Sequence, residues 1–199
     1  MKIYLIRHGE TDWNLKQIIQ GTNDTVLNDT GRRQAKKLAN KLYYDKNIKF
    51  SKVYTSKQKR AVETAKIIAR ILNKDYIIVQ GIEEMNLGSF EKHKWEDVEK
   101  KFSDEFSLWM KDIRYRRVPF GESYEDVLKR AIKTLYKIIK SNSENVAIVT
   151  HGAVIMAIVC LIKENSFNDI LKFSALNSSI YEINSEDVLK HINIFKKAK

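Results

Sequence analysis

Apolar residues recur along the chain in two rhythms. Unbroken runs at Ile3 to Ile6, within Lys52 to Thr55, at Tyr76 to Val79 and at Val146 to Val149 suit short strands. Between them the spacing turns helical. Asn28 is placed to cap a helix running to about Tyr44, with Ala35, Leu38, Ala39 and Leu42 as its stripe. Ser56 is placed to cap a second helix carrying Ala61, Ala65, Ile68 and Leu72. Ser123, with Asp126 three residues on, is a variant capping box opening a helix with Leu128, Ala131, Ile132, Leu135 and Ile139 buried. The segment after Gly152 is apolar all round, as in a buried helix. Segments 178–183 and 191–195 read as two closing strands. Strands alternating with helices predict a three-layer α/β/α sandwich on a mostly parallel sheet. Trp95, Val98, Phe102, Phe106 and Trp109 form a less regular helical stripe that interrupts the alternation. It is read as a helical cap inserted at about residues 81–122 of a single domain spanning 1–199.

Composition narrows the function classes. The 199 residues suffice for a core without staples, and 43% apolar with 31% charged is a globular balance. The formal net charge is +11, but the lysines are spread along the whole chain. Neither a zinc spacing nor an RNA-binding motif accompanies them, so no nucleic-acid partner is expected. The charge would still draw anionic substrates. Cys160 is the single cysteine, which excludes an internal disulfide and fits a reducing, cytoplasmic setting. No secretory signal is visible. The apolar stretch Val146 to Ile162 is interrupted by Thr150-His151-Gly152, so no membrane partner is expected either.

Candidate chemistry gathers at strand ends. Arg7-His8-Gly9 closes the first strand and Thr150-His151-Gly152 closes a later one. Open α/β sheets hold ligands at such carboxyl ends. Gly9 is read as easing a sharp turn. Taken singly, each could be a solvated strand end or a hydrogen-bonded histidine. Two strand-end histidines, each followed by Gly, are harder to assign to packing. Arg60 lies early in its helix, where the dipole disfavours a cation, which hints at an anion nearby. Asn14 offers an amide donor, Gly21 permits close backbone approach, and Thr22 is adjacent.

Leu5 to Asn14 resembles the opening motif of the histidine phosphatase superfamily, the phosphoglycerate mutase-like family. Leu27 to Ala35, Ser56 to Ala65, Ile82 to Glu91, Gly121-Glu122-Ser123 and Thr150 to Ala153 resemble its later segments, in family order. The resemblance implies that His8 is the phosphorylated nucleophile, with Arg7 and Arg60 holding the phosphate. It further implies that His151, protonated in the occupied site, stabilises the transition state and that Glu84 is the general acid and base. Asn14, Gly21 and Thr22 would belong to the phosphate pocket. Glu83 and Glu91 compete with Glu84 for the acid role. Where the family has Trp-Glu-Gly this chain has Phe90-Glu91-Lys92. Phe keeps an aromatic wall, and Lys for Gly puts the local turn in question.

The implied reaction is hydrolysis of a small-molecule phosphate monoester, with no metal and no cofactor. Size and motif order look most like the alpha-ribazole phosphatase and broad-specificity branch, which makes alpha-ribazole 5′-phosphate the leading named substrate. Phosphoserine and small sugar phosphates stay open. Two alternatives remain: a phosphoglycerate mutase-type transfer, and a catalytically weak phospho-ligand binding protein. In the loop Arg114 to Arg117, an arginine could meet an anionic remainder of the substrate, or the run could be solvated. Oligomeric state is not legible.

Overall fold

The computed structural model describes residues 1–196. The strands are β1 (Lys2–Arg7), β2 (Lys52–Thr55), β3 (Tyr76–Ile78), β4 (Val146–Thr150) and β5 (Ile180–Asn184). They form one sheet in the order β3-β2-β4-β1-β5. All neighbours are parallel except β5, which runs antiparallel to β1. The helices are α1 (Asp12–Leu15), α2 (Asp29–Tyr44), α3 (Lys59–Leu72), α4 (Trp95–Lys101), α5 (Ser103–Lys111), α6 (Tyr124–Lys140), α7 (Gly152–Ile162) and α8 (Ser185–Lys196).

The pleat of β1 and β4 divides the interior into two cores. Ile3, Leu5, Val146 and Ile148 face a core shared with α6, α7 and α8. Tyr4, Ile6, Ala147 and Val149 face a core shared with α2 and α3. Two buried faces explain why these strands read as continuous apolar runs rather than alternating ones. Asn28 caps α2 through Gly31 N–H at 2.8 Å, and Ser123 with Asp126 forms the capping box of α6. Helices α4 and α5 pack on the α6 side through an aromatic cluster. In it Trp109 lies 6.0 Å from Phe90 and 6.4 Å from Tyr124, ring centre to ring centre.

Four sequence expectations change. The segment 191–195 lies in α8, not in a closing strand. Val188 and Ile192, four residues apart, are both buried against the α6 core, and this helical pairing prevails over the apparent alternation. The third strand stops at Ile78, one residue earlier than expected. Ser56 does not cap α3: Gln58 is the residue at that cap, and it makes no side-chain capping bond. Gly9 has no left-handed backbone. It is required because a Cβ there would lie 2.5 Å from Gly31 O, so the end of β1 touches the first turn of α2.

The turn at Lys92 keeps a glycine-like conformation, with φ at 69°. A left-handed L-residue costs about 1–2 kcal/mol, of which the extra chain entropy of Gly offsets about half. Lys92→Gly is therefore expected to stabilise the protein by about 0.5–1 kcal/mol, read as a higher urea midpoint at unchanged m-value. A lower midpoint would show that the Lys92 side chain contributes more than its backbone costs.

Candidate active site

Adjacent parallel strands bring the two histidines together. Arg7 pairs in register with Thr150, and His8 N–H donates to Thr150 O at 3.0 Å. The rings of His8 and His151 lie 5.2 Å apart, both buried. His8 Nδ1 is 2.7 Å from Gly9 O. A carbonyl only accepts, so Nδ1 carries the proton and Nε2 keeps its lone pair. Nε2 has no hydrogen-bond partner among the described residues. Ser56 Oγ holds the Nε2 of His151 at 2.6 Å, while its Nδ1 is buried without a partner among the described residues.

Burial pushes both imidazoles well below the ordinary histidine range, and the Arg60 charge adds to that. For His8 this preserves the unprotonated ring expected of a nucleophile. For His151 it opposes the protonation expected of the occupied site. Burial first, and then the protein's own cations, disfavour a proton on this ring.

Arg7 lines the cavity beside His8 and donates through one terminal nitrogen to Ala175 O. Its Nε is buried and unpartnered among the described residues, as is that of Arg60. Arg60 is fully buried behind the loop that follows α1. Its terminal nitrogens donate to Asn23 O at 2.6 Å and Gly21 O at 3.0 Å. It therefore shapes that loop as well as contributing charge. Burial lowers the pKa of both guanidinium groups, against the attraction of Glu84. Glu84 lies across Gly152 from Arg7: a Cβ on Gly152 would sit 3.6 Å from Arg7 Cζ and 3.8 Å from Glu84 Oε2. Glu84 Oε1 accepts from Met85 N at 3.0 Å and Ala153 N at 3.2 Å, whereas Oε2 has no partner among the described residues.

The remaining candidates divide. Asn14 lines the cavity, and its Oδ1 accepts from Thr11 and Asn177, which leaves its amide N–H groups unpartnered among the described residues. Gly21 also lines the cavity, with φ at 49° and no room for a Cβ beside Glu91. Thr22 is exposed and turned away, with both its N–H and its hydroxyl donating to Glu91 at 2.9 Å. The structure thus removes the Thr22 side chain from the pocket. Glu91 and Glu83, the rivals of Glu84, do not line the cavity either. Glu91 additionally receives Asn23 and Leu87, and Glu83 receives Gly81 N–H. Arg114 and Arg117 pair with Glu125 and Asp126, and no arginine of that loop lines the cavity.

Three further residues support the site. Gln58 donates to Gly21 O and accepts from Glu84 N at 2.8 Å, linking the loop after α1 to the acid. Arg130 donates to the carbonyls of Gly81, Glu83 and Glu84, and Glu122 holds it with both carboxylate oxygens. Asn177 Nδ2 donates to His8 O at 3.1 Å. The available signals were that Gln58 falls inside the Ser56 to Ala65 segment and that Arg130 is a charged residue beside the apolar stripe of α6.

The cavity beside His8 has a volume of about 520 Å³. Among the described residues, no group of three or more His, Cys, Asp and Glu side chains is placed to hold a metal ion, and no helix is long and apolar enough to cross a membrane.

Comparison with known proteins gives concordant matches. The family profile described as "Histidine phosphatase superfamily (branch 1)" matches residues 3–195. A metal-independent phosphoserine phosphatase of Arabidopsis thaliana is 33% identical over 189 residues, which is 94% of this chain and 77% of the relative. The Entamoeba histolytica phosphoserine phosphatase, solved as a mutant with phosphoserine, superposes at a TM-score of 0.78 with 28% identity, covering 91% of this chain and 89% of that one. The Shigella flexneri alpha-ribazole phosphatase superposes at 0.79 with 24% identity, covering 92% and 90%, a likeness of fold.

Depressed histidine pKa values make stability depend on pH. Above the ordinary value near 6.5, neither the folded nor the unfolded chain protonates these rings. Below it the unfolded chain takes up protons that folded His8 and His151 refuse, so stability falls as pH falls. The slope should reach about 1.4 kcal/mol per pH unit for each ring. Urea denaturation at about pH 7.5 and pH 5.5 should show this loss, and His8→Gln should remove about half of it. An unchanged slope in the variant would contradict a neutral buried His8.

Proposed function

The chain belongs to the histidine phosphatase superfamily, and from that premise we propose that this phosphatase hydrolyses a small-molecule phosphate monoester through a phosphohistidine on His8. One observation carries the reading: an imidazole with Nδ1 held by Gly9 O and its other nitrogen unpaired among the described residues, in a site that also holds the fully buried Arg60, the partly buried Arg7 and the Glu84 carboxylate.

In the first step His8 Nε2 attacks phosphorus, the N–P bond forms, and the bond to the leaving oxygen breaks. Arg7 holds the dianion in line, and the charge of Arg60 behind the loop helps to offset it. His151 adds an N–H to an equatorial oxygen as charge develops there. Glu84 delivers a proton to the leaving oxygen from Oε2. In the second step water replaces the alcohol, Glu84 takes its proton, and the N–P bond breaks to release phosphate. Asn14 and backbone near Gly21 complete the phosphate cradle, and Thr22 acts there only through its bond to Glu91. No metal is needed, because arginines supply the positive charge.

Residues of about 81–122 serve as the cap over the site, within one domain of 1–199. Alpha-ribazole 5′-phosphate remains our leading named substrate, on chain size and motif order. Phosphoserine is the competing candidate, on the names of the relatives. The buried free thiol of Cys160 is in keeping with a cytoplasmic protein.

The test is phosphate release from p-nitrophenyl phosphate and from alkyl monoesters. His8→Ala should abolish turnover. Glu84→Gln should lower kcat/KM about 10²–10⁴-fold for alkyl esters and much less for p-nitrophenyl phosphate, whose leaving group needs no proton. Full turnover by His8→Ala would refute the proposal. Interconversion of phosphoglycerates with bisphosphoglycerate, faster than phosphate release, would establish the mutase instead.

A further inference from the structure

Beyond the phosphate cradle, the cavity has a second half of different chemistry. Its wall is built from Trp95, Phe106, Trp109, Ile113, Tyr124 and Met156. The planes of Trp95 and Trp109 differ by 5° and those of Trp109 and Tyr124 by 16°, so three flat faces run nearly parallel. Arg7, at the phosphate end, is the one lysine or arginine among the described lining residues. The outer half instead carries Glu99 on α4, a carboxylate with no ion pair or hydrogen bond among the described residues. Of the arginines after α5, Arg114 and Arg117 are committed to Glu125 and Asp126, and none of the three lines the cavity.

We infer that this half is a leaving-group subsite for an alcohol with a flat apolar or aromatic surface and no carboxylate. The inference rests on the phosphatase reading and adds the substrate class. A carboxylate brought against these rings would lose its water with no cation in return, and would face Glu99. A flat ring would displace weakly held water from aromatic and aliphatic surface, and could pack against planes already aligned. The volume also fits: about 520 Å³ suits a phosphate with a ring system attached, more than a three-carbon acid would fill. On this account, phosphoserine and 3-phosphoglycerate are poor substrates here.

The experiment compares kcat/KM for 2-phenylethyl phosphate and phosphoserine, with p-nitrophenyl phosphate as the reference for activity itself. Both alcohols are primary, and both esters pass through the same phosphoenzyme. Serine is the better leaving alcohol, so intrinsic reactivity works against the expected result. The phenylethyl ester should be favoured by at least about tenfold. Trp95→Ala, a half-exposed position, should narrow that ratio by lowering the phenylethyl value. Glu99→Lys should narrow the corresponding ratio of 2-phenylethyl phosphate to 3-phosphoglycerate from the other side, by raising the value for this primary ester that has a carboxylate and no ammonium, at unchanged far-UV circular dichroism. Equal or greater kcat/KM for phosphoserine in the unmodified protein would overturn the subsite, as would a ratio that neither variant moves. If p-nitrophenyl phosphate also released no phosphate, the phosphatase reading itself would have failed. Brisk p-nitrophenyl phosphate turnover with phosphoserine preferred would defeat the subsite alone.

Discussion

A single hydrogen bond, from His8 Nδ1 to the carbonyl of the next residue, decides what the site can do. It fixes the tautomer, and so leaves Nε2 as the nitrogen with a lone pair. Everything around it serves the same end. Gly9 must be glycine for its peptide to lie against Gly31, and the hydroxyl of Thr64 receives Gly9 N–H at 3.0 Å. Ser178 N–H and the Asn177 amide hold His8 O from the far side. The ring is thereby oriented by backbone contacts drawn from β1, α2, α3 and the segment before β5.

Around that ring the fold gathers two guanidinium groups, with Glu84 as the carboxylate that acts on both. Arg60 is fully removed from water and Arg7 partly so, and each keeps a buried nitrogen unpartnered among the described residues. Such groups are costly unless an anion completes them. A phosphate dianion supplies both the charge and the acceptor oxygens, and it is the change that would let His151 bind a proton. Glu84 is positioned by a different device. Gln58, Arg130 and Thr150 grip the backbone of residues 82–84, so Glu84 projects from a loop whose peptide groups are already satisfied.

Much of this was legible in the sequence because it is periodic or local. Apolar runs located β1 and β4, three- and four-residue spacing located α2 and α6, and the two strand-end His-Gly pairs located the site. The failures have physical causes. Segment 191–195 satisfies both a strand alternation and a helical pairing, and only the packing of Val188 and Ile192 on α6 decides between them. Ser56 has the chemistry of a cap, yet a bond to a histidine 95 positions away claims it. Gln58, Arg130 and Asn177 act through contacts across 26 to 169 positions, which leave no local pattern. Thr22 adjoins the motif, but Glu91 takes both its donors.

The most direct test is to phosphorylate the protein with labelled donor, quench during turnover, and locate the adduct. The tautomer fixed by Gly9 O requires an acid-labile, base-stable phosphoryl group on the Nε2 of His8, formed and lost at the turnover rate. Phosphorylation at Nδ1, on another residue, or sustained hydrolysis with no phosphoenzyme at all, would contradict the account.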